Sequence, residues 1–188
     1  MRLSPALPPL RRTAANVAAS LDIRASVGTS TSPTATGTKA VTGVGFQPKC
    51  VLPFSIQYNN NGVATHAVLS AGAMTATSQA LAAVSSKASV TTSATHRRHD
   101  NSKAFTSFFD NAIYAEAAYS SFEADGFTLA HTKYLGDSVN YILNHIALGG
   151  ADLEVSLVQC QMNGTNAAQS FAHGLSGAPT GVLFFSAM

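Results

Sequence analysis

Beyond residue 25 the chain runs in short apolar and β-branched stretches punctuated by Gly, Ser, Thr, Asn and Asp. SVGTSTSPTATGTKAVTG (residues 26–43) opens this pattern, and such runs between turn formers predict strands rather than helices. KCVLPFSIQY (49–58) is largely apolar but contains Pro53. Proline cannot donate to a ladder, so an edge position or a bulge is expected there. Asn61-Gly62 then supplies a hairpin signal. THAVLSAG (65–72) and ALAAVSSKASVTTSAT (80–95) continue the short strands.

KAFTSFFDNAIYAEAAYSSF (103–122) fits two periods. Phe105, Phe108, Phe109, Ala112 and Ile113 share a helical face, whereas Ile113, Ala115, Ala117 and Tyr119 alternate. A loop or short helical turn followed by a strand is the expectation. EADGFTLAHT (123–132) resumes a strand after the Asp125-Gly126 turn. In SVNYILNHIALGG (138–150), Val139, Tyr141 and Leu143 alternate with Ser138, Asn140 and Asn144, and the run closes on two glycines. LEVSLVQCQM begins one more strand at residue 153, followed by a turn at Asn163–Thr165. Many short strands separated by turns predict an all-β fold, an antiparallel β-sandwich of jelly-roll type.

One phrase occurs twice. Shifted by 131 residues, TGVGFQPKCVLPFS (42–55) falls on HGLSGAPTGVLFFS (173–186). Gly43 meets Gly174, Pro48 meets Pro179, Val51-Leu52 meets Val182-Leu183, and Phe54-Ser55 meets Phe185-Ser186. Each copy predicts one core strand, and an apolar strand left unpaired is an aggregation hazard. The second copy therefore either closes the sandwich's own sheet or adds to a neighbour's edge. The organisation expected is an N-terminal arm over 1–28, a sandwich over 29–150, and a partial second repeat with closing or swapped strands over 151–188.

The arm MRLSPALPPLRRTAANVAASL has prolines at 5, 8 and 9, three arginines and no acid. The prolines favour an extended segment lying against a partner, with a short helix allowed over TAANVAASL. It lacks the continuous apolar stretch of a secretory signal, although an acid-poor transit peptide shares its composition. No run reaches the roughly 20 apolar residues that span a bilayer as a helix.

Charge changes this picture more than hydrophobicity does. Only 11% of residues are charged, against about 25% in an average globular protein. Such a surface suits a protein covered by neighbours, and a homo-oligomer is expected. Residues 1–99 carry nine Lys/Arg against Asp22 alone, a net +8, while residues 100–188 carry two Lys against eight acids, a net −6. Either the halves mix their charges over one surface, or opposite potentials register one subunit against the next. The basic residues are dispersed and not interleaved with aromatics, so nucleic acid is not an expected partner.

Candidate chemistry is thin. Cys50 and Cys160 lie in apolar runs and predict buried free thiols. HRRHDN (96–101) offers His96 and His99 as metal ligands, but Arg97 and Arg98 between them repel a cation; a solvated loop tip, or contact with an anion, is the alternative. His66, His131, His145 and His173 are scattered and lack a local carboxylate to orient them, and His145 is expected at a surface or interface. No nucleophile elbow, phosphate loop or paired-cysteine signature is present. Neither an enzyme nor a cofactor is expected. The partner-binding candidates are Arg2, Arg11 and Arg12 in the arm and Val182, Leu183, Phe184 and Phe185 in the second copy.

GVGFQPKCVLPF and DGFTLAHT…VNYILNHIALGG resemble structural proteins of tailed bacteriophages, in which a Gly-Phe-x-Pro-x-x-Val-Leu phrase recurs in tandem sandwich units. The resemblance covers about residues 36–188. It implies a virion protein, capsid-associated as a decoration, cement or minor capsid protein, whose partners are the major capsid protein or neighbouring copies. Phe46, Pro48, Val51 and Gly126-Phe127 are also loosely similar to H-type lectins. That likeness implies a carbohydrate-binding tail-fibre or receptor-binding module instead. The tryptophan often found in those lectins is missing, leaving Tyr134 and Tyr141 as partial substitutes for stacking a sugar.

Overall fold

The computed structural model describes residues 21–56, 66–88, 94–161, 163–164 and 167–185. Its ten strands are β1 (Arg24–Thr31), β2 (Gly37–Thr42), β3 (Pro48–Ser55), β4 (Ala67–Thr75), β5 (Gln79–Ser86), β6 (Thr95–Asp100), β7 (Phe105–Phe109), β8 (Ala112–Glu123), β9 (Gly126–Lys133) and β10 (Ile142–Gly149). They form two antiparallel sheets, ordered β1-β10-β3-β4-β5-β6 and β2-β9-β8-β7. The chain is all-β, a β-sandwich, with no helix among the described residues.

Period-two alternation builds the core. Val51, Met74, Leu143 and Ala147 of the larger sheet meet Phe105, Ala115, Ala117, Phe127 and Leu129 of the smaller one, with Val41, Val44, Phe46 and Tyr141 filling the ends. A second buried cluster, Leu81, Ala83 and Phe108, lies under β5 and β7. Small residues bring the layers close. At Gly72 an added Cβ would overlap the Ala104 carbonyl, so this part of β4 has no room for a side chain.

Several expectations are corrected. β3 is not an edge strand but sits between β10 and β4. Its proline is accommodated by a gap: the β3–β4 ladder runs through Cys50↔Thr75 and Val51↔Met74, skips Leu52 and Pro53, and resumes at Phe54↔Ala71. Burial of Val51 and Pro53 in the sandwich outweighs the missing donor. Residues 105–123 are a hairpin rather than a helical turn and a strand. Asp110 adopts a left-handed φ of 51° between β7 and β8, and a bulge between Ser107 and Phe108 resets the register. That bulge lets Phe105 and Phe108, three residues apart, both be buried, which is why the sequence imitates a helical face.

The sandwich begins at Arg24, so residues 24–28, assigned to the arm by sequence, form the first part of β1. Residues 1–20, with Arg2, Arg11, Arg12 and most of TAANVAASL, lie outside the described residues, as does Asn61-Gly62. β10 starts at Ile142, so Val139 and Tyr141 precede the strand instead of belonging to it. No strand is assigned after Gly149 among the described residues. Of the strand expected at LEVSLVQCQM, the described residues 153–161 form an extended segment that belongs to neither sheet.

Candidate functional site: an unpaired tail and the clefts beneath it

The tail leaves the sandwich beside the start of β1. The Asp22 amide donates to Asp152 Oδ2 (2.7 Å), the Ala151 amide donates to Asp22 Oδ2 (2.9 Å), and Arg24 pairs with Asp22 (2.7 Å). The Ala151 amide, followed by the Arg24 guanidinium, holds the Asp22 carboxyl below the usual carboxylate range. Lys49 of β3 then ties the tail across the sheet, donating to the carbonyls of Ala151 (3.1 Å) and Leu153 (2.8 Å). Beyond this clip, Leu153, Val155 and Leu157 are half-buried while Glu154 and Ser156 are exposed, the alternation of a strand. Yet among the described residues 155–160 and 177–185 make no backbone–backbone hydrogen bonds.

The tail covers the outer face of the larger sheet and leaves two clefts. One, of about 730 Å³, lies between Gln47, Lys49 and Thr75–Ser78 on the sandwich, the ring pair Tyr119–Phe122, and Glu154–Leu157 and Gly174–Ser176 of the tail. The other, of about 580 Å³, has a floor of Ala71, Ala73, Ala80 and Ala82, with Leu157–Gln161 and Leu183–Phe185 as its rim. The floor continues into exposed Phe54, Leu69 and Val84.

The repeated phrase is repeated in structure as far as its entry loop. Gly43 and Gly174 are both left-handed, with φ of 83° and 67°. In the first copy the Gly43 and Gly45 amides donate to the Asp125 carboxylate (3.0 and 2.6 Å). In the second, Ser176, the counterpart of Gly45, donates its amide and hydroxyl to Glu154 Oε2 (2.9 and 2.8 Å), and these bonds lower the Glu154 pKa. A carboxylate thus gathers the same loop position twice. After the first loop the chain enters a sheet as β3. After the second, Val182, Leu183 and Phe184 stand 65–76% exposed.

HRRHD is not a loop tip but edge strand β6. Alternation sends His96 and His99 to opposite faces, so these two imidazoles do not converge on one ion. Arg97 and His99 face outward. Arg98 turns inward, donating to Thr106 (2.8 Å) and Asp100 (2.7 Å) and pairing with the buried Glu116. The Tyr134 hydroxyl also donates to Glu116 (2.8 Å), which raises the tyrosine pKa. This pins β6 and β7 together and is occupied by its own partners. A second buried pair, Lys133–Asp137 (3.0 Å), holds the loop before β10, with the ammonium 4.4 Å from the Tyr141 ring centroid. Tyr141 is therefore core, not a sugar-stacking face, and among the two expected substitutes only Tyr134 is partly exposed.

His145, expected at a surface or interface, is instead buried within the sandwich with its ring edge-on to Phe127 (5.0 Å), and His131 is buried 6.5 Å from Phe105. Desolvation lowers both pKa values; His131, with Lys133 and Lys39 nearby, is pushed down to about 4. Neither Nδ1 has a hydrogen-bond partner among the described residues. Cys50 is buried as expected, its thiol pushed up to about 11 by desolvation, whereas Cys160 is exposed on the tail. No group of three or more His, Cys, Asp and Glu that could hold a metal occurs among the described residues.

Of the predicted partner-binding residues, Val182–Phe185 are exposed, with Leu183–Phe185 at the rim of the alanine-floored cleft, while Arg2, Arg11 and Arg12 lie outside the described residues. Sequence reasoning missed the outer face itself. Its signal was the run of alanines in β4 and β5, small residues on a face that polar side chains would otherwise occupy. In comparisons with known proteins, no family model, no curated protein and no solved structure matches the chain.

Proposed function

We propose that this chain is a structural protein of a tailed-phage virion, a capsid-associated decoration, cement or minor capsid protein that stabilises joints between subunits. It acts mechanically and turns over no substrate. The observation that carries this reading is the tail: an extended segment with strand alternation, unpaired backbone and exposed Val182–Phe185, laid over an apolar sheet face. Exposed contiguous apolar surface marks sites of association, and a chain with 11% charged residues fits a protein whose surface is covered in an assembly. The resemblance of the repeated phrase to phage sandwich proteins supplies the setting. Quantitative mass spectrometry of purified particles of the encoding phage tests it. Recovery at a fixed ratio to the major shell protein is expected, and absence from intact particles refutes it.

The cleft beside Tyr119 and Phe122 favours a second reading, a lectin-like receptor-binding module. It combines an aromatic pair with Gln47, Lys49, Ser78 and Ser176, the mixture of ring faces and polar groups that sugars use. A glycan array separates the two: millimolar or tighter binding to a defined glycan, abolished by Tyr119→Ala, favours the lectin.

A further inference from the structure

We infer that residues 179–185 of one chain add as a strand to the free edge of β1 in a second copy, extending the six-stranded sheet and linking copies head to tail. The donor is a second writing of β3. It shares Pro48/Pro179, Val51-Leu52/Val182-Leu183 and Phe54/Phe185, and its entry loop repeats the left-handed glycine and the carboxylate-held amide. The first copy obtains its ladder bonds from β10 and β4. The second obtains none among the described residues, and an extended backbone without a ladder is a strand that lacks a sheet.

The four sheet edges differ as acceptors. β6 is guarded by His96, Arg97, Arg98 and His99, and charges of this kind blunt an edge. β7 is largely buried, with Arg98 bonded across it at Thr106. β2 is a six-residue strand carrying Lys39. β1 is eight residues long, the same length as β3, and after Arg24 it has neither a charge nor a proline. It pairs with β10 alone among the described residues, without a bulge, and Val27 is 78% exposed. Among the described residues it is the one unguarded edge of the four.

Placement makes the contact intermolecular. Leu183–Phe185 line a cleft over β4, β5 and His99 of β6, in the half of the sheet away from β1. Four strand spacings separate β1 from β5, about 19 Å. Donor at one end and acceptor at the other form a heterologous contact, which builds rings or filaments rather than a closed symmetric pair.

The test uses the full chain and two exposed-site variants, Val27→Lys on the acceptor and the pair Leu183→Asp, Phe184→Asp on the donor, with circular dichroism confirming that each keeps its fold. Sedimentation velocity should show the parent growing with concentration and each variant at least about a hundredfold weaker in association. Mixing the two variants should restore one interface only and stop at a heterodimer. Hydrogen exchange should show the amides of 181–185 protected at high concentration and unprotected on dilution. A parent that stays monomeric, a protected strand in the monomer, or a mixture that forms no dimer overturns the inference. It stands apart from the virion reading: absence from particles refutes that reading and leaves self-association intact, and a persistent monomer does the reverse.

Discussion

His131 should set the acid limit of this fold. Its imidazole is buried beneath β9, near Phe105 on one side and the cations Lys133 and Lys39 on the other, with no acceptor at Nδ1 among the described residues. Desolvation first, then the two lysines, push its pKa down to about 4 from an ordinary value of 6.5. The unfolded chain therefore binds the proton in a range where the folded chain refuses it. Stability is full above pH 6.5, falls as pH drops through the window from 6.5 to 4, and has lost this contribution below it. Integrating the proton difference gives a loss of about 2 kcal/mol at pH 5 relative to neutrality and about 3 kcal/mol when the window is fully crossed. Urea unfolding followed by far-ultraviolet circular dichroism measures it, because the chain has no Trp to report by fluorescence. His131→Leu, similar in volume and unable to titrate, should lose about 2 kcal/mol less than the parent between neutrality and pH 5. His145, also lowered by desolvation, should leave a residual slope. An unchanged slope in the variant would show that His131 finds a partner for its charge, and the argument from its burial would be wrong.

Four further substitutions test the packing and its hydrogen bonds. Gly72→Ala forces a methyl group onto the Ala104 carbonyl and should destabilise by about 3 kcal/mol in urea titrations; a neutral effect would mean the layers separate freely. Gly28→Ala brings a Cβ to 2.7 Å from the His145 ring and should cost about 1–3 kcal/mol. His145→Ala in the same chain should recover part of that loss, so simple additivity in thermal melts would count against the contact. Glu116→Ala removes the buried carboxylate that pairs with half-buried Arg98 and accepts from Tyr134, leaving Arg98 its Asp100 partner, and should cost about 2 kcal/mol. Asp125→Ala removes exposed bonds to Gly43 and Gly45 and should cost about 1 kcal/mol, so the reverse ranking would refute the burial argument.

The fold class was legible because burial in a sandwich is written in period two, and buried Phe127 and Leu129 alternating with Thr128 and Ala130 in β9 display that period. Where the sequence misled, a longer-range term had overridden a local one. Pro53 signals an edge by its missing donor, but the ladder gap opposite Gly72 and Ala73 accommodates it in a central strand. The bulge at Ser107/Phe108 shifts the phase of β7 and makes a hairpin look helical. His145 reads as a surface or interface residue because it is polar, although it shares the phase of Leu143, and Gly28 on β1 leaves the space that its ring fills. None of these compensations is adjacent in sequence to the residue it serves.

The two copies of one phrase show why strand propensity alone does not make a strand. Their entry loops are built alike, through a left-handed glycine and a carboxylate, so the local chemistry that launches the chain is the same. What differs is the slot. Pro48–Ser55 finds β10 on one side and β4 on the other, and every inward side chain from Val51 to Ser55 is buried. Residues 179–185 carry at least as apolar a sequence and find neither neighbour, so their side chains stand in solvent. Backbone hydrogen bonds and burial are properties of pairs of strands, so the second copy, without a pair among the described residues, keeps the sequence of a strand but not its ladder.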